Sequence, residues 1–374
     1  MKLTRRQFII GSTALAGTAM VGGTAAFLNT PQFGRKPSPE RLARLLASPN
    51  WKDGVFRNYE PFVSPPPQIG KPKNRLKLWW DFLMADKSHL APKSPLPTVK
   101  TDLKALDPAR DLAVWLGHSS IYMQLGGKRI LIDPVFSDYA SPVWFINRAF
   151  DGTNIYTAED FPEIDILAIT HDHWDHLDYP SICALLPKVR RAVCPLGVGE
   201  YLEQWGMAPD AISEGDWFDC FDLDPLYIFI TPSRHFSGRL TRRNQTLWGG
   251  FVFFSPSRRI FVSGDGGFGR HFQHIADMYG PFDFAFLENG QYNVRWPSVH
   301  THPHETVQVA DIIGTRFVIP VHNSKFTLSD HSWNVPMSEL SRQSADHPWR
   351  LLTPRIGDII DFAAPSEFPL WFSA

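Results

Sequence analysis

The chain has 374 residues, 43% of them hydrophobic and 20% charged. That balance belongs to a folded protein with enough length to bury a large core in one or two domains, and it excludes general disorder. Lys and Arg number 37 against 38 Asp and Glu, a net charge of −1, which excludes nucleic-acid binding driven by bulk positive charge.

The chain opens with Thr4-Arg5-Arg6-Gln7-Phe8-Ile9, a twin-arginine pattern running into a Gly/Ala/Thr-rich apolar stretch from Phe8 to Phe27. Residues 1–29 resemble a bacterial Tat signal peptide. The alternative is an uncleaved anchor, because the run is about long enough to span a membrane. Small residues at Thr24 and Ala26 allow cleavage near Ala26. Either way the Tat export machinery is the expected partner. The body is expected in the periplasm or anchored to the outer face of the inner membrane. Without residues 1–26 the chain loses Lys2, Arg5 and Arg6 and no acid, leaving 34 basic and 38 acidic residues, a net of −4. The cysteines are Cys183, Cys194 and Cys220. They have no C-x-x-C spacing and do not read as a metal site. An exported chain has room for one disulfide and a leftover thiol, while Cys183 and Cys194 suit small buried apolar positions.

Residues 30–108 are rich in Pro, Lys and Trp and read as an N-terminal extension packed on the main domain. A helical pattern runs from Pro39 to Leu46. Trp79, Trp80 and Phe82 read as packing anchors, with membrane-surface contact as the alternative.

The main domain, residues 109–374, begins with strands. Ala113–Leu116 precedes Gly117-His118-Ser119-Ser120. Ile121–Leu125, the turn Gly126-Gly127 and Arg129–Asp133 read as a β-hairpin. His118 either orients a site or is a satisfied buried histidine, and Asp133 is a candidate carboxylate behind a metal ligand. The apolar run Ile164–Ile169 then ends in Thr-His-Asp-His-Trp-Asp-His-Leu-Asp, residues 170–178, with three histidines and three aspartates between His171 and Asp178. Neutral imidazole and carboxylate suit zinc and similar divalent ions. His171 and His173 are two apart, so on extended chain they point the same way. Asp175 and His176 follow at the next turn and can serve a second metal.

Asp178 and Pro180 read as a helix start leading to Leu186. Arg191–Cys194 is a predicted strand and Gly199–Trp205 a helix stopped by Gly206. Further predicted strands are Leu226–Thr231, ending at His235; Leu247–Phe254 and Arg259–Ser263, ending at Asp265; Phe282–Leu287; and Phe317–Val321, ending at His322. A helix is expected over Thr301–Ile313. His171, His173, His235, Asp265 and His322 thus all follow predicted strands. Sites of layered α/β folds gather at such strand ends.

In this order, His171-x-His173-x-Asp175-His176, His235, Asp265 and His322 resemble the metallo-β-lactamase-fold hydrolases. Trp115-Leu116-Gly117-His118, Asp133-Pro134, Leu247-Trp248-Gly249, Gly280-Pro281-Phe282-Asp283 and Gly290-Gln291-Tyr292 resemble the branch containing N-acylphosphatidylethanolamine-hydrolysing phospholipase D and its bacterial relatives. The resemblance spans about residues 50–365. It implies an α/β fold of the αββα sandwich type. It also implies two divalent metal ions, zinc first, with manganese or iron as alternatives. His171, His173 and His235 would hold one, Asp175, His176 and His322 the other, and Asp265 would bridge them.

Two departures stand out. Asp265 is followed by Gly266-Gly267 where Thr-Gly is common. The sequence His300-Thr301-His302-Pro303-His304 alternates three histidines, of which His300 is the candidate to line the site and the others are expected at the helix surface. Arg239 matches an arginine of the phospholipase branch and is expected to pair with phosphate. Arg242 and Arg243 read as solvated charge.

The implied activity is a dinuclear metal-dependent hydrolase, first of all a phospholipase-D-like phosphodiesterase acting on a lipid or lipid-like small molecule. Hydroxide held between the metals would attack, with Asp265 and Asp175 as the catalytic carboxylates. The alternatives are a lactone or amide hydrolase on the same metals and, in another class, a non-catalytic metal-binding regulatory module.

Overall fold

A computed structural model describes residues 23–64, 87–239 and 242–373 of the chain. The twin-arginine segment and Trp79, Trp80 and Phe82 lie outside the described residues. Among the described residues no helix is long and apolar enough to cross a membrane.

The extension contributes helix α1 (Pro39–Ala47) and a short hairpin, β1 (Trp51–Lys52) and β2 (Val55–Phe56). Ser38 caps α1 by accepting from the Arg41 amide, with Pro39 in the first turn. The first half of the main domain supplies β3 (Leu112–Trp115), β4 (Ile121–Leu125), β5 (Lys128–Ile132), β6 (Ile164–Ala168), β7 (Val189–Pro195) and β8 (Ile212–Gly215). Helices α2 (Tyr179–Leu185) and α3 (Gly199–Gln204) make the crossovers between the parallel strands β6, β7 and β8.

The second half supplies β9 (Cys220–Leu223), β10 (Leu226–Thr231), the two-residue ribbon β11 (Gly238–Arg239) and β12 (Arg242–Arg243), then β13 (Gly250–Phe254), β14 (Arg259–Val262), β15 (Phe284–Glu288), β16 (Phe317–Val321) and β17 (Arg350–Leu351). Helices α4 (His271–Tyr279), α5 (Pro303–Ile313) and α6 (Val335–Gln343) connect its parallel strands. Last, β18 (Ile359–Asp361) returns to the first sheet beside β3. The result is two seven-stranded sheets, ordered β18-β3-β4-β5-β6-β7-β8 and β17-β16-β15-β14-β13-β10-β9.

Strand periodicity explains why the sheets stack. In β4, Ile121, Met123 and Leu125 face the other sheet, while Tyr122 faces outward to the helices. In β13 and β14, Phe251, Phe253, Ile260 and Val262 face inward, while Val252 and Phe261 meet α4 and α5. Because both faces of these strands are apolar, each sheet must be covered on both sides. One core lies between the sheets and one lies under each outer helix layer. This is the αββα sandwich expected from the sequence.

Most predicted elements hold to within a few residues. The strand expected from Leu247 starts at Gly250, because the Leu247 and Gly249 amides bond outside the second sheet, to the carbonyls of Leu196 and Thr170. Helix α4 escapes the pattern reading, with no side-chain cap at its start, and α6 escapes it although Asn334 and Pro336 stand at its first turn. The three cysteines are free thiols, Cys194 buried, Cys183 half-buried and Cys220 exposed.

Candidate metal centre

The sheet edge formed by the C-terminal ends of β3, β5, β6, β10, β14, β15 and β16 carries the chemistry. After β6 the Ile169 amide still bonds to the Val193 carbonyl of the neighbouring strand, and His171 follows two residues on. The amides of His176 and Leu177 then bond to the His173 carbonyl. That turn brings Asp175 and His176 back toward the sheet. Helix α2 begins at once, capped by Asp178. Three site residues that follow other strands sit in the left-handed backbone region: His118 at φ 53, Asp133 at φ 43 and His322 at φ 64. Asp and His tolerate that region better than most residues, and such strain concentrates where geometry serves a site.

His171, His173 and His235 form one group whose ligand atoms all lie within 4.8 Å of one another. His171 Nε2 is 2.9 Å from His173 Nδ1, and His235 Nε2 is 3.2 Å from the same atom. Asp175, His176 and His322 form a second group, joined by His118. Asp265 reaches both sides. Its carboxylate lies 3.2 Å from His176 Nε2, 3.1 Å from His322 Nδ1, 3.9 Å from His235 Nε2 and 4.0 Å from His171 Nε2.

The electrostatics match a cation site. Burial, with repulsion from the neighbouring imidazoles, holds His171 and His235 well below the usual histidine range. Burial likewise takes His173 down to about 3. These rings are therefore neutral near pH 7, and their lone pairs converge on one volume. Burial would raise the Asp175 carboxyl, but His176 and His118 outweigh it and hold it well below the usual range. Burial raises Asp265 to about 7, with Glu288 adding to the rise. His173 Nε2, His176 Nε2 and Asp265 Oδ1 are buried without a hydrogen-bond partner. Converging neutral imidazoles and orphaned ligand atoms fit divalent cations, and the N/O donor set suits zinc, manganese or iron.

Supporting residues fix the ligands. Asp133 Oδ2 is 2.8 Å from His176 Nδ1 and accepts from the Thr170 hydroxyl at 2.6 Å. This is the carboxylate–histidine arrangement that sets the ligand ring and its tautomer. His118 Nε2 lies 2.8 Å from Asp175 Oδ2, so His118 orients this site's carboxylate. The His300 ring stacks 5.1 Å from His322 and lies 5.1 Å from His235. His302 and His304 sit at the start of α5, where Glu305 accepts from the His302 amide at 2.8 Å.

Arg239 departs from expectation. It is 1% exposed and does not face a substrate. Nε donates to the Asp172 carbonyl at 2.7 Å, Nη1 to the Gln32 carbonyl at 2.8 Å and Nη2 to the Leu177 carbonyl. Its guanidinium lies 4.2 Å over the Trp174 ring. Five donors in a rigid fork make arginine suited to tying several carbonyls together, and here they brace the ligand loop. Arg243 lies 4.6 Å over Phe236, whose ring packs on His173 and His235.

Glu288 escapes the sequence reading. This buried last residue of β15 pairs with His300 Nδ1 and accepts from the Gly266 amide at 2.6 Å. A carboxylate ending an apolar strand on the same edge as Asp265 is the signal that would have found it. The departure from Thr-Gly lies at Gly266, where a Cβ would meet the Arg234 amide nitrogen at 3.0 Å and the Ser233 Cβ at 3.1 Å.

Residues 128–323 match the family described as Beta-lactamase superfamily domain. The chain is 34% identical over 332 residues to an uncharacterised protein of Mycobacterium tuberculosis, covering 87% of each chain. It is 32% identical over 224 residues to N-acyl-phosphatidylethanolamine-hydrolyzing phospholipase D 1 of Caenorhabditis elegans, covering 56% of this chain and 63% of that one. The isothiocyanate hydrolase from Delia radicum gut bacteria shares the fold, with TM-score 0.54 at 19% identity over 68% of this chain and all of that one.

Proposed function

The chain belongs to the metallo-β-lactamase superfamily and is a metal-dependent hydrolase, and from that premise we propose that it cleaves a phosphodiester of a lipid or lipid-like substrate as a phospholipase D does. The observation that carries the reading is Asp265, whose carboxylate stands between two groups of ligand-type side chains. The similarity to the nematode phospholipase D points to the substrate class.

His171, His173 and His235 would hold one divalent ion and Asp175, His176 and His322 a second, with Asp265 shared. Bound there, such ions supply Lewis-acid polarisation of a phosphoryl oxygen and lower the pKa of a water. Asp265 accepts a hydrogen bond from the attacking water and orients it toward phosphorus. Asp133 keeps His176 in the tautomer whose Nε2 lone pair faces the site. His300, held at Nδ1 by Glu288 and 5.1 Å from the rings of both His235 and His322, would orient a substrate oxygen. The surrounding buried rings keep bulk water out, which strengthens each of these polar contacts. The proposed setting is outside the cytoplasm, supported by the Arg5-Arg6 pattern of the sequence.

The test is incubation of zinc-loaded protein with N-acylphosphatidylethanolamine. Wild type should release phosphatidic acid and Asp265→Ala should not. No release from protein with bound metal verified by elemental analysis would contradict the substrate class and turn attention to lactones and amides.

A further inference from the structure

Among the described residues, the side-chain hydrogen bonds made to Asp175, His176 and His322 themselves come from the main domain, from His118, Ser119, Asp133 and Thr170. The three-histidine group is different. Part of its support comes from the N-terminal extension, outside residues 128–323 that match the family.

We propose that the stretch from Phe27 to Asn58 is a strap that positions His171, His173 and His235 for metal, so that the extension is a working part of the centre. The inference rests on the reading of these three residues as ligands. Asn58 grips the backbone of His235 from both sides. Its Nδ2 donates to the His235 carbonyl at 2.7 Å, and its Oδ1 accepts from the His235 amide at 2.9 Å. That pair fixes where the ligand's Cα stands, while a 3.1 Å contact from Nδ1 to the Val299 carbonyl sets the ring.

The other end of the strap reaches the ligand loop through Trp174, the residue between His173 and Asp175. One neighbour of Trp174 is the guanidinium of Arg239, which joins Asp172 and Leu177 of the loop to Gln32 of the strap. Another is Phe33, a buried ring 5.3 Å away and edge-on at 80°, itself backed by Phe27 at 5.1 Å.

The strap is built for this place. The Trp205 indole donates to the Pro31 carbonyl at 2.9 Å. Gly34 turns the chain at φ 68, and a Cβ there would lie 2.4 Å from the Tyr201 ring, so only glycine passes. Behind it, buried Arg41 pairs with Glu203 and Glu214 at 2.6 and 2.7 Å. Cleavage near Ala26, as the sequence leads one to expect, would leave the whole strap on the chain.

An exchangeable probe tests this without reference to turnover. The full chain is stripped of metal and titrated with cobalt(II), then zinc(II), following the cobalt absorption spectrum and stoichiometry in wild type, Asn58→Ala, Asn58→Asp and Phe33→Ala. Loss of a partner that orients a metal ligand typically weakens binding by about 10–100-fold. Asn58→Ala should weaken one of the two binding steps by about that factor and leave the other unchanged, and Phe33→Ala, which removes the ring behind Trp174, should weaken at least that same step. Asn58→Asp keeps the acceptor for the His235 amide but sets a carboxylate oxygen against the His235 carbonyl where the amide donated, and should weaken the same step. Unfolding midpoints of the metal-free chains identify any variant that fails to fold, and the remaining variants then decide. Wild-type affinity at both steps in the folded variants would overturn the strap and leave the hydrolase proposal standing. A wild type that binds fewer than two metals would overturn both.

Discussion

The two ligand groups meet at Asp265 but are built on different principles. The group of Asp175, His176 and His322 contains a carboxylate, and its outer contacts lie within the sheet edge itself, on β3, β5 and the turns that follow them. The group of His171, His173 and His235 is made of neutral imidazoles and is held from behind by Arg239, Asn58 and the residues around Phe33. A negative ligand with short-range support makes a preorganised cation site. Neutral rings with long-range support make one whose affinity depends on distant parts of the chain. The two metal affinities should therefore be unequal, with the carboxylate-containing group the tighter.

The largest effect should come from the residue common to both groups. Asp265→Ala removes the shared carboxylate. It should cost activity by more than the roughly 10–100-fold typical of an outer partner and should weaken both metal-binding steps in a calorimetric titration. A variant weakened at one step alone would break the assignment of Asp265 to both groups.

Asp133→Asn comes next. The amide still fills the space but no longer fixes the His176 tautomer. The expected result is about 10–100-fold weaker binding at the tighter step, with the weaker step unchanged. This is the mirror image of Asn58→Ala, and the pair together measures how independent the groups are.

The smallest effect lies away from both groups. His271, at the start of α4, is buried with neither ring nitrogen bonded. Burial, aided by Arg234 and His274, lowers it from 6.5 to about 3. The folded state therefore refuses a proton that the unfolded chain accepts below pH 6.5. Stability present above that pH is lost as pH falls toward 3. His271→Leu should remove one proton from this linkage, flattening the acid slope of unfolding free energy by up to roughly 1.4 kcal/mol per pH unit. Metal affinity should stay that of wild type. Denaturant unfolding at pH 6, 5 and 4 reads the slope, and a changed affinity would show that acid sensitivity and metal binding are not separable.

What could be read from the residues alone follows the same division. His171 to His176 are contiguous after an apolar strand, so local pattern suffices to find them. His235, Asp265 and His322 each end a strand of clear apolar character, and chain order ties them together. Asp133 was legible because it closes a hairpin strand. Glu288 was not, because one carboxylate at a strand end looks like ordinary solvation until the Gly266 amide and His300 are seen against it.

Arg239 was misplaced because its surroundings are entirely non-local. Its match to an arginine of the phospholipase branch points to a side chain in the site. Carbonyls from Gln32, Asp172 and Leu177 and the rings of Trp174, Tyr201 and Trp205 take it out of the site instead. Periodicity gave the strands and the family resemblance gave the sandwich, whereas α4 starts after Arg270 with no side-chain cap to announce it.

The most direct test of the central claim is metal stoichiometry. Purified full-length chain, dialysed against chelator, is reloaded with zinc and analysed for metal per polypeptide beside Asp265→Ala. The wild-type chain should hold two zinc ions, bound in two resolvable steps, and the variant should retain fewer. A wild-type chain that saturates at one ion or none, or a variant that retains two with unchanged affinity, would contradict that claim.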